Sequence, residues 1–121
     1  FVQNGSDFVR RGMAGVVSPE DGGTAGDAFS EEFEQLGYLA KISGKTGSAQ
    51  VGNVTIDIQN TSWFVSFAPN DNPDIAICVC IPNGLSGSSS AGAIEDIMTY
   101  YFSKLDARSP ETLAKPDDVT P

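Results

Sequence analysis

An α+β fold, an antiparallel sheet covered by helices, is predicted by three features of this chain. Two nearly unbroken apolar runs, one within 60–69 (Thr-Ser-Trp-Phe-Val-Ser-Phe-Ala-Pro) and one from Ile75 to Ile81, flank the turn cluster Pro69-Asn70-Asp71-Asn72-Pro73-Asp74. They read as a hairpin whose strands are apolar on both faces and belong at the centre of a sheet covered on two sides. Near the end, Ala91, Ile94, Ile97, Met98, Tyr101, Phe102 and Leu105 recur at helical spacing and form a stripe wide enough to lie across a sheet face. A third segment, Ser6 to Val17, repeats Phe8, Val9, Gly12, Met13, Val16 and Val17 at the same period, behind a cap at Ser6 or Asp7, and reads as a core-packing helix.

The remaining elements follow in order. Arg10 and Arg11 fall away from the first stripe and read as a solvated face. Ser18 to Gly26 is dense in breakers and reads as a loop. Asp27 to Leu36 reads as a short helix with Ala28, Phe29, Phe33 and Leu36 on one side and Asp27 as its cap. Glu31 and Glu32 are adjacent, so they point about 100 degrees apart and do not converge on a substrate. Gly37 stops that helix. Val54, Ile56 and Ile58 alternate with Thr55 and Asp57, as in a short flap strand, and Gly84 to Ser90 reads as a Gly/Ser linker. Residues 106–121 carry three prolines and no apolar periodicity, the signature of a flexible tail.

Composition narrows the function. The 121 residues suit one domain with a modest core, and 16 acidic against 7 scattered basic residues give a net charge of -9, so phosphate backbones are repelled and nucleic acid is no partner. No apolar run reaches the roughly 20 residues of a membrane helix. Phe1 opens the chain with neither an initiator Met nor a signal-like segment, as in a piece of something longer. Histidine is absent, so catalysis must run on Lys, Ser, Thr or carboxylates. Cys78 and Cys80 share one face of a strand, cannot readily bond to each other, and read as buried free thiols; Cys-x-Cys without further ligands gives no metal site.

Lys41-Ile42-Ser43-Gly44-Lys45-Thr46-Gly47-Ser48-Ala49-Gln50 is a strand kept bare, with one ammonium at Lys45, hydroxyls at Thr46 and Ser48, and no side chain at Gly47. A ligand backbone can approach Gly47 closely, while Ser48 offers a main-chain N–H and a hydroxyl at the same place, a surface suited to a carboxylate-bearing peptide. Taken alone, the same pattern also describes a glycine-softened edge strand with a solvated lysine.

Gly44-Lys45-Thr46-Gly47-Ser48-Ala49-Gln50, Trp63-Phe64-Val65-Ser66-Phe67-Ala68-Pro69, the turn ending in Asn72-Pro73 and the helix with Tyr100-Tyr101-Phe102 together resemble the C-terminal part of a penicillin-binding protein transpeptidase domain. Gly12-Met13, Val16-Val17 and Gly23-Thr24-Ala25 before Phe29 are similar to the helix and loop that precede the Lys-Thr-Gly strand in the class B, high-molecular-weight group. Of the family's three motifs only Lys-Thr-Gly is here: no serine has a lysine three places on or an asparagine two places on.

The resemblance implies the C-terminal portion of the serine β-lactamase/transpeptidase-like fold, with residues 1–105 an incomplete segment lacking two strands of a five-stranded sheet and the nucleophile. It implies a serine-type D,D-transpeptidase that crosslinks peptidoglycan stem peptides ending in D-Ala-D-Ala and is acylated by β-lactams, without a cofactor. The protein would lie on the extracytoplasmic face of the bacterial membrane, anchored by an upstream segment. Lys45 and Ser48 would be catalytic, and Lys45, Thr46, Gly47 and Ser48 would bind substrate; Gln50 would line the far end of the cleft. The missing N-terminal part of the domain would be its partner, and the chain alone would be inert. Other implied functions on the same scaffold are a β-lactamase, a D,D-carboxypeptidase or a penicillin-sensing receptor domain. A non-enzymatic binding module remains the alternative outside the family.

Overall fold

The computed structural model describes residues 2–50 and 60–108; the flap-strand reading and all but the first three residues of the tail lie outside them. The chain folds as α1 (Val2–Val17), α2 (Glu31–Gln35), β1 (Ser43–Ala49), β2 (Thr61–Ala68), β3 (Ile75–Ile81), α3 (Gly87–Ala91) and α4 (Glu95–Asp106). Short 3-10 turns at Gly26–Ala28, Leu39–Lys41 and Gly92–Ile94 lead into α2, β1 and α4. The strands form one antiparallel sheet in the order β1-β2-β3, with Thr46 opposite Phe64 and Phe64 opposite Val79. The predicted hairpin is therefore present, with β2 in the middle and β3 at an edge among the described residues. The Ala68–Pro69 peptide bond is cis.

Alternation sorts the strand residues onto two faces. Ser62, Phe64, Ser66 and Ala68 of β2 are buried on the first face, beside Ile75, Ile77 and Val79. The buried stripe Ala91, Ile94, Met98 and Phe102 of the last helices packs there with Phe33 and Tyr38. Phe102 stacks on Tyr38 at 4.8 Å, and Phe33 meets Tyr38 edge-on at 5.7 Å. Tyr38 then donates its hydroxyl to Asp106 at 2.9 Å, so α4 is engaged one residue beyond the predicted helix end. Ile97, counted in the stripe, is exposed, because a twelve-residue helix on a three-stranded face buries a narrower arc than the apolar pattern spans.

The second face departs from expectation. Among the described residues β2 is only partly covered there: Trp63 and Val65 are 41% and 40% exposed, Phe67 is half-buried, and Cys78 and Cys80, expected buried, are both exposed free thiols. Their shared face points away from α4, and α1 is the element that approaches it, where Met13 borders a cleft of about 260 Å3 with Val65, Phe67, Ala76 and Cys78. α1 also begins at Val2, so Ser6 and Asp7 sit inside it rather than capping it. Only Val17 of its stripe is buried, with Met13 and Val16 partly so; Phe8 and Val9 are 73% and 61% exposed. The helix packs by its C-terminal turns. Arg10, read as solvated, donates from its guanidinium to the Asp71 carbonyl at 3.1 Å and ties α1 to the β2–β3 turn.

Two local corrections bear on the site. The second helix is split, and its cap is Ser30, not Asp27: the Ser30 hydroxyl accepts from the Phe33 N–H at 3.2 Å, and the Ser30 N–H donates to Glu95 at 2.8 Å. Gly37, at φ +74, ends α2 as expected. The supposed Gly/Ser linker contains α3, whose Gly87, Ser90 and Ala91 are buried against the sheet. Among the described residues, no helix is long and apolar enough to cross a membrane.

Candidate functional site

β1 carries the candidate residues, and its register separates them. Thr46 and Ser48 lie opposite Phe64 and Ser62 on the helix-covered face; Lys45 and Gly47 lie opposite Val65 and Trp63 on the open one. The ammonium and the two hydroxyls therefore leave the strand in opposite directions, and one ligand can reach both only along the edge of β1 that no strand pairs among the described residues. Lys45 is exposed, and its Nζ bends back to donate to the Thr46 carbonyl at 2.6 Å. It meets a carbonyl rather than a hydroxyl, so it does not form a base–nucleophile pair with any of these serines or threonines.

The two glycines of β1 differ in why they are glycine. A methyl group built at Gly44 would fall 2.3 Å from the Phe64 ring, so internal packing alone demands glycine there. At Gly47 a methyl would meet Trp63 Cβ at 3.5 Å, an ordinary contact. Nothing within the described chain requires that bare position, and it leaves room for a backbone to approach from outside.

Both hydroxyls are already engaged. Thr46 Oγ1 lies 2.8 Å from Thr24 Oγ1, and Ser48 Oγ accepts the Gly87 N–H at 3.0 Å. Behind them, the Ser62 hydroxyl donates to the Ser86 carbonyl and lies 2.8 Å from Ser90 Oγ, while Ser90 donates to the Gly87 carbonyl at 2.9 Å. Sequence reasoning gave Thr24, Ser62, Gly87 and Ser90 no role. The available signals were a serine on the inward face of an apolar strand and a serine run opening directly into the clearest helix.

A strand edge with an ammonium, two hydroxyls and a bare glycine is equipped to hold an anion beside an extended backbone, and it carries no nucleophile of its own. Residues 3–99 match the sequence profile of the penicillin binding protein transpeptidase domain. The chain belongs to the penicillin-binding protein transpeptidase family. It is 30% identical over 110 residues to peptidoglycan D,D-transpeptidase MrdA of Haemophilus influenzae, covering 81% of this chain and 16% of that protein. Penicillin-binding protein 2B of Streptococcus pneumoniae is 33% identical over 96 residues, covering 78% and 13%. The chain thus spans about a sixth or less of these relatives.

Solved structures agree on the fold. The chain is similar to Pseudomonas aeruginosa PBP2, in complex with WCK 5153, at a TM-score of 0.61 and 32% identity over 91% of this chain and 22% of that one. The transpeptidase domain of Burkholderia pseudomallei penicillin-binding protein 3 matches at a TM-score of 0.60 and 27% identity, over 84% and 30%. The expected α+β architecture, part of the β-lactamase/transpeptidase fold, is borne out.

Proposed function

We propose that this chain supplies the C-terminal wall of the active site of a peptidoglycan D,D-transpeptidase, and that the attacking serine and its base lie outside these 121 residues. The observation that carries the reading is the family match over residues 3–99, within which Lys45-Thr46-Gly47-Ser48 occupy a strand edge open to a ligand. Lys45 draws the terminal carboxylate of a D-Ala-D-Ala stem peptide, or the equivalent group of a β-lactam, and assists proton movement during acyl transfer. Thr46 and Ser48 hydrogen-bond that carboxylate, and Gly47 lets the ligand backbone come close. The Ser48 N–H is one donor of the oxyanion hole, a contribution whose loss costs roughly 100- to 1000-fold in rate. The whole protein would act outside the cytoplasm, held to the membrane by an upstream segment.

Intact mass after incubation with benzylpenicillin tests this. The expected result is no adduct on this chain alone and a penicilloyl adduct on the upstream portion of its parent when the two are combined. No adduct on either would replace the enzyme with a binding module, and rapid turnover of the adduct would point to a β-lactamase.

A further inference from the structure

We propose that Thr24 and Gly87 are positioning residues that set the direction of the Thr46 and Ser48 hydroxyls, so that both present O–H outward and select an acceptor-only anion. The inference rests on the proposed binding of a ligand carboxylate along β1.

A hydroxyl has one proton and two lone pairs. Ser48 Oγ receives the Gly87 N–H at 3.0 Å; its own proton is directed away from that donor. Thr46 Oγ1 has Thr24 Oγ1 at 2.8 Å, and when the Thr24 proton occupies that contact the Thr46 proton is likewise free. With both oxygens accepting from within the chain in this arrangement, two O–H groups are left for a ligand, and a carboxylate, which only accepts, satisfies both. A neutral ester also only accepts, but through uncharged oxygens that hydrogen-bond less strongly, and an amide turns one position into a donor.

Both positioning groups are held firmly. The Thr24 turn is fixed by the Gly23 N–H on the Ser18 carbonyl at 3.0 Å and the Ala25 N–H on the Val16 carbonyl at 2.9 Å. A methyl at Gly23 would lie 2.2 Å from the Gly15 carbonyl, so the turn sits tight on the end of α1. Gly87 is equally confined: a methyl there would fall 2.7 Å from the Gly47 nitrogen and 2.8 Å from Thr46 Cβ. Only glycine lets the start of α3 come close enough to reach Ser48. The Ser62 hydroxyl, directly across from Ser48 in the register, holds α3 in place through the Ser86 carbonyl.

The test is the acylation rate of the parent protein by benzylpenicillin and by its methyl ester, which lacks the charge. Thr24→Val keeps the shape and removes the hydroxyl; it should slow benzylpenicillin about fivefold, the loss of one ordinary hydrogen bond, and slow the uncharged ester distinctly less. Thr24→Ser should restore the rate, and Thr24→Val added to Thr46→Val should cost nothing further, because the two act through one contact. Gly87→Ala should narrow the preference for the charged ligand; if it does not fold, the Thr24 series decides. Equal slowing of both ligands by Thr24→Val, or full additivity with Thr46→Val, would overturn the inference while leaving the carboxylate reading intact. If Thr46→Val itself slows both ligands equally, the carboxylate reading fails, and the inference with it.

Discussion

The two faces of the sheet are built from the same strands and have opposite fates. On one, Phe64 is fully buried and Ser62, Ser66 and Ala68 lie beneath α3 and α4; on the other, Trp63, Val65, Cys78 and Cys80 remain exposed. β2 is apolar in both directions, as strands covered on both sides are. The difference shows that the apolar pattern of β2 and β3 exceeds what the described helices bury. An apolar face and a β3 edge that no strand pairs among the described residues favour association, so the chain alone should pair with the remainder of its domain or self-associate. A monodisperse monomer by light scattering, unfolding cooperatively, would break this contrast.

Substitutions sharpen it in order of size. Phe64→Ala should cost about 3–5 kcal/mol in chemical denaturation, whereas Val65→Ala, its neighbour on the open face, should stay near 0.5 kcal/mol. Equal costs would mean that the open face is covered. Gly44→Ala should destabilise by about 1–3 kcal/mol through overpacking against Phe64. Gly47→Ala should leave folding unchanged and instead slow acylation of the parent. Ser66→Ala should be neutral or stabilising, since the buried Ser66 hydroxyl has no hydrogen-bond partner among the described residues.

The smallest effect is electrostatic. Donation to Asp106, with burial and the carboxylate's charge, raises the Tyr38 pKa above 10. Its phenol is favoured neutral in the folded state, so this contribution is intact below about pH 10 and is lost as pH rises through the raised value. In a phenolate absorbance titration, Asp106→Asn should shift one tyrosine to lower pH.

What was legible in the sequence follows from which interactions are local. The hairpin turn, the bare strand at Lys45–Ser48 and the Gly37 stop declare themselves through nearby residues, and all three are present. α3 was hidden because Gly-Ser-Ser-Ser has little helix propensity; it is held by Ser62 and Ser90, contacts that no local pattern reports. Cys78 and Cys80 were misplaced because periodicity assigns them a shared face without saying whether anything covers it. Asp27 and Ser30 are both good caps, and only the position of Phe33 relative to Ser30 decides between them. The bare Lys45-Thr46-Gly47-Ser48 pattern is readable, while the separation of Lys45 from the two hydroxyls by strand alternation becomes meaningful only once β1 lies at an edge among the described residues.

In the proposed function this edge is the anion-holding wall of a serine acyl-transfer site. Its most direct test is the acylation rate of Lys45→Ala in the parent protein with benzylpenicillin, with circular dichroism confirming an intact fold. Markedly slower acylation at unchanged stability is expected; an unchanged rate would remove Lys45 from the mechanism.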